Sequence, residues 1–122
     1  MATVKPIFRI FDYNKAVEFY VDWLGFQIDW EHTFDINSPV YMQVTLGDIV
    51  LHLSEHSGDC SPGARILIED FEDVKGYHAR LNVKNYKYNK PGIEVPFYDE
   101  SLLSMQVIDP FGNRITFTGK AN

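Results

Sequence analysis

A single cysteine, Cys60, stands among the 122 residues. That excludes an intrachain disulfide and a thiolate zinc cluster, since either needs at least two thiols. Cys60 lies in EHSGDCSPG, a loop-like stretch with no helix start or evident base beside it, so an inert thiol is the simpler reading. Long hydrophobic runs are missing as well, and no window approaches the roughly 20 apolar residues of a membrane span. Met1–Lys5 shows no basic segment leading into an apolar one, so the expectation is a cytoplasmic protein without a secretory leader. Basic charge is also scarce. Eleven Lys and Arg face 17 Asp and Glu, a net charge of −6, the opposite of the surface that nucleic acid selects. Such a balance leaves a mild long-range pull on cationic ligands. There is no HExxH and no low-complexity tract.

What is present is an ordinary globular composition, 45% hydrophobic and 23% charged, with enough length for one domain over 1–122 and a single core. Aromatics, at 15%, are abundant and several fall in strands that also carry charge. Val4 to Phe11 is β-favouring, with Pro6 marking an edge or a bulge. Asp12 or Asn14 caps a helix that runs to about Leu24 and stops at Gly25. FQIDWEHTF alternates, setting Phe26, Ile28, Trp30, His32 and Phe34 on one face and Gln27, Asp29, Glu31 and Thr33 on the other. VYMQVTL and IVLHLS form a hairpin across Gly47–Asp48.

The same order then returns. ARILIED is a strand, and Asp70 caps a helix with Val74, Tyr77, His78 and Leu81 on one face. Irregular strand material from Lys87 to Val95 precedes LSMQVID, a turn rich in Pro and Gly, and RITFTG. Asp12 and Asp70 lie 58 positions apart, His52 and Thr116 lie 64 apart, and the difference falls in the longer loop before the last hairpin. A tandem βαβββ unit is the expectation, with module one over about 1–56 and module two over about 63–120. The class is α+β. Such units leave a sheet face to be covered by a twin, a second chain or a ligand.

DYNKAVEFYVDWLGF, GDIVLHLSE and DPFGNRITF together resemble the vicinal oxygen chelate superfamily, which includes glyoxalase I, the extradiol dioxygenases and the bleomycin-resistance proteins. The resemblance implies a curled mixed sheet around a cleft, helices on the outside, often in a homodimer. Metal-dependent members place four ligands in that cleft, on the first and fourth strands of each module. Counted from the motifs, those positions fall on His52, on Thr116 where metal enzymes carry glutamate, on Ala64, and within two residues of Lys5. Alanine has no donor, a threonine hydroxyl is a poor ligand, and lysine repels a cation. His52 and His56 lie four residues apart, about 13 Å along a strand, too far for one ion unless the chain bends. The implied cleft is free of metal and of any cofactor, without catalytic residues.

GDIVLHLS is most similar to the bleomycin-resistance branch, whose members sequester a drug rather than transform it. A planar cationic ligand calls for flat aromatic surfaces and acidic rims. The candidate ligand-binding residues are Trp30, His32, Tyr41, His52, Tyr98, Met105 and Thr116, with Phe97, Asp99 and Glu100 near them. Ile28, Trp30 and Phe34 suit a core equally well on pattern, as does Met105. Two alternatives stay open: an enzyme with a noncanonical metal set using His52 and Glu55, and a protein-interaction module.

Overall fold

In the computed structural model, which describes residues 1–33 and 35–121, the chain divides into two compact units. Unit 1 is Met1–Ala64 with Asp109–Asn113, and unit 2 is Arg65–Ile108 with Arg114–Asn122. The fold is α+β. Phe34, expected on the Trp30 face, lies outside the described residues.

Unit 1 begins with β1 (Ile7–Arg9), shorter than the apolar stretch suggested. Proline lacks an N–H, so Pro6 contributes only its carbonyl, accepting from the His52 amide at 2.9 Å. Helix α1 (Tyr13–Val17) is capped by Asp12, whose carboxylate accepts from the Lys15 amide. The helix then widens into a π-helical turn over Glu18–Trp23, where the Leu24 amide reaches back five residues to the Phe19 carbonyl. Gly25, at φ +92°, supplies the left-handed residue that ends it. Strands β2 (Gln27–His32), β3 (Tyr41–Leu46) and β4 (Ile49–Ser54) complete a sheet of order β1-β4-β3-β2 with β1 parallel to β4. Phe8, Met42, Val44, Leu51 and Leu53 are buried on one face. Tyr13 of α1 donates to Glu31, the ladder partner of Met42, which puts that face on the helix side.

The clean alternation expected of β2 does not hold. Its register with β3 slips between Ile28 and Trp30, so Ile28 pairs with buried Val44 while Trp30 pairs with Gln43. Asp29 is the extra residue of this bulge, and its carboxylate reaches Gln43 and Thr45. Asp29 and Trp30 therefore share the open face, and Ile28 turns to the core. An inserted residue reverses the period of two for everything beyond it.

The turn segment of unit 1 is tied by Asp109. Its buried carboxylate accepts from the Phe111 and Asn113 amides, the Asn113 side chain and, at 2.6 Å, the Tyr20 hydroxyl. Burial pushes this carboxyl above its usual range, against the pull of those donors.

Unit 2 holds β5 (Arg65–Ile68), α2 (Val74–Val83), β6 (Leu102–Ile108) and β7 (Arg114–Lys120), with sheet order β5-β7-β6. The α2 cap is Asp73 rather than Asp70; it adopts φ +61° and accepts from the Gly76 amide. Val74, Tyr77 and Leu81 are buried as expected, and His78 is half-buried, bonded to the Pro91 carbonyl. The second strand of the second repeat is reduced to one bridge, Glu94 with Ser104. KYNKPGIEVP, with two prolines and a glycine, is poorly suited to a ladder.

Candidate functional site

On the open face of unit 1 a chain of polar groups crosses three strands. Asp29 accepts from the Gln43 amide nitrogen at 2.9 Å and from the Thr45 hydroxyl at 3.1 Å. That fixes the Gln43 carbonyl toward His52 Nε2, 3.0 Å away, and toward Lys5 Nζ. A carbonyl there requires the proton on Nε2, which leaves Nδ1 of a neutral ring to accept from the Tyr41 hydroxyl at 2.6 Å. Electrostatics agree with this tautomer. Burial, and then the Lys5 charge, hold the His52 imidazole below its usual range. Burial, followed by the negative charge of Asp59, pushes the Tyr41 phenol up, so it stays a donor.

Aromatic planes cover this chain. Trp30 stacks on Tyr41 with centroids 6.0 Å apart and planes 11° from parallel, and meets His52 edge-on at 5.4 Å. Trp30 nevertheless remains 43% exposed. Sheet register explains the assembly: His52 pairs with Gln43, and Gln43 with Trp30. His32 is opposite Tyr41 at the end of β2 and exposed.

Of the sequence-derived candidates, Trp30, Tyr41 and His52 thus come together in unit 1, with His32 on their flank. Tyr98 and Thr116 line a cavity of unit 2. Met105 does not belong with either group. It pairs with buried Phe117 and is itself 1% exposed, so it fills the unit 2 core. Asp99 serves a turn, accepting from the Ser101 amide and hydroxyl. Trp23 is core. Sequence reading missed Asp29 and Gln43; the bulge that aims Asp29 has no clear local signal, and Gln43 is an ordinary polar position of an alternating strand.

The donor set does not fit the four-ligand metal site that the resemblance in sequence implies for metal-dependent members. The residue facing His52 on β1 is Ile7, and the residue facing Thr116 on β5 is Leu67. Ala64, counted as a ligand position, precedes β5 and uses its backbone amide to donate to Asn113. Both His52 nitrogens are engaged by neighbours, and Glu55 accepts from the Val40 amide. Among the described residues, no three His, Cys, Asp or Glu side chains gather as a metal requires. Cys60 also lacks the character of a nucleophile, since burial and Asp59 push its thiol up.

The family described as glyoxalase superfamily protein matches residues 1–122. The chain belongs to the glyoxalase superfamily. No curated protein sequence matches it. Among solved structures, it resembles TnmS3, an antibiotic binding protein from Streptomyces sp. CB03234, at 23% identity and TM-score 0.70, covering 99% of this chain and 98% of that one. A bleomycin resistance determinant encoded on transposon Tn5 is 16% identical with TM-score 0.70 and full coverage of both chains. A bleomycin-binding protein complexed with bleomycin is 17% identical with TM-score 0.68, covering 98% and 99%. At these identities the likeness is one of fold. No helix among the described residues is long and apolar enough to cross a membrane.

Proposed function

We propose that this glyoxalase-superfamily chain is a small-molecule binding protein that sequesters a planar, cationic antibiotic of the bleomycin type without metal and without catalysis. The observation that carries this reading is the Trp30–Tyr41 stack: two parallel rings on an open sheet face, with one of them 43% exposed. A ring held in that geometry has lost its rotamer freedom before a ligand arrives, so stacking and cation–π contact come at a lower entropic cost. The chain Tyr41–His52–Gln43–Asp29 fixes the rings from beneath and ends on a carboxylate suited to a cationic group. A net charge of −6 favours the same ligand at long range. The reading includes a cytoplasmic homodimer.

Trp23 is 2% exposed, so quenching of tryptophan emission by an added ligand reports on Trp30. Titration with bleomycin is expected to quench saturably in the wild type and to lose that response in Trp30→Phe. Stoichiometric nickel, zinc, iron or manganese in the purified protein would overturn the metal-free reading, and sedimentation tests the dimer.

A further inference from the structure

The open face of unit 2 carries charge that its own sheet leaves unpaired. Arg65 and Arg114 are partners in the β5–β7 ladder, and both are exposed. Like charges directly opposite one another across strands repel. Arg80 of the same unit pairs with Asp73, whereas among the described residues neither ladder guanidinium has a carboxylate partner.

Both arginines line a cavity of about 820 Å³, within the range of roughly 300–1,000 Å³ common for small-molecule sites. Four of its other lining residues are apolar or aromatic and stand in water: Leu67, Val95, Phe97 and Tyr98 are 56%, 54%, 100% and 58% exposed. Apolar side chains gathered in one exposed patch mark a binding surface. Gln106 and Thr116, partners in the β6–β7 ladder, add polar groups, and the buried Thr116 hydroxyl has no hydrogen-bond partner. Glu94 is the one carboxylate in the lining.

We propose that this cavity binds a small aromatic carboxylate, its anionic group held between Arg65 and Arg114 and its ring against Leu67, Phe97 and Tyr98. Guanidinium forks match a carboxylate in two-point geometry, and such charge-assisted bonds are the strong ones. Glu94 restricts the preference to ligands of low charge, because a polyanion would bring negative groups against it. Tyr98 and Thr116 are shared with the ligand-binding candidates read from sequence, but the proposal does not rest on the Trp30–Tyr41 stack that carries the sequestration reading: the arginine pair and the exposed apolar wall are observations of unit 2 alone.

Calorimetric titration with 2-naphthoate and with its uncharged isostere 2-naphthamide tests it. The naphthoate is expected to bind about tenfold more tightly at low ionic strength, the factor that one charge-assisted hydrogen bond supplies. The preference should shrink above about 0.5 M salt, where screening reaches a few ångströms. The double variant R65Q/R114Q should lose the preference while its circular dichroism and Tm stay at or above wild type; R65K/R114K should keep part of it. F97A should weaken both ligands alike. Equal affinity for the two probes, a preference that survives in R65Q/R114Q, or no saturable naphthoate binding, as when a second copy of the chain covers the cavity, would overturn the proposal.

Discussion

The two units place their fourth-strand residues alike and use them differently. In unit 1, His52 faces Ile7 across a parallel pair; in unit 2, Thr116 faces Leu67 across another. His52 is bound at both nitrogens within a chain of side chains roofed by Trp30, whereas the Thr116 hydroxyl is buried with no partner beside unpaired arginines. Register decides where a side chain sits. The neighbours decide whether it is spent on structure or left for a ligand. Unit 1 satisfies its polar groups internally and exposes a ring, while unit 2 leaves polar, cationic and apolar groups uncommitted.

If the units differ only on their open faces, their cores should respond alike. Phe117→Ala in unit 2 and Phe8→Ala in unit 1, both essentially unexposed, are each expected to cost about 3–5 kcal/mol in denaturant unfolding. A large inequality would break the comparison at its base. Gly119→Ala sharpens it from the unit 2 side. A Cβ at Gly119 would lie 2.0 Å from the Phe71 carbonyl oxygen, a backbone atom with little room to yield. The expected loss is about 3 kcal/mol. The position 64 residues earlier is Glu55, so this glycine has no counterpart in the first repeat.

Thr116→Val tests the unspent hydroxyl. Removing a buried group that makes no hydrogen bond should raise stability by about 1 kcal/mol; a comparable loss would mean that the hydroxyl has a partner. The smallest effect is on pH dependence. His52 is held below its ordinary value near 6.5, so on acidification through that value the unfolded chain binds more protons than the native one, and stability falls as pH drops. His52→Gln, measured beside the wild type from pH 7.5 to 5 or so, should flatten that slope.

Much of the fold was legible because local chemistry and global structure agree. Asp12 caps α1, Gly25 ends the helix that follows, and the Gly47–Asp48 hairpin falls where its turn residues sit. Where sequence reading failed, a non-local cause can be named. The β2 bulge inverts the faces of Ile28 and Trp30, and pairing with β3 creates it. The α2 cap is Asp73 and not Asp70: two acidic residues three apart both suit the role in sequence, and Asp73 is the one whose carboxylate accepts from the Gly76 amide. Met105 was ambiguous on its alternating strand until pairing with Phe117 placed it in the core. Trp30, Tyr41 and His52, to which a resemblance could point, do come together on one sheet face. Arg65 and Arg114 were not legible, since their juxtaposition exists only in the ladder between strands nearly fifty residues apart.

Calorimetric titration of bleomycin into wild-type protein and Trp30→Ala tests the central claim most directly. A saturable heat in the wild type is predicted, with affinity weakened by about 1–3 kcal/mol in the variant, as expected when a stacking aromatic is removed. Equal affinities, or no binding by the wild type, would contradict the assignment of the Trp30–Tyr41 face as the place where the ligand is held.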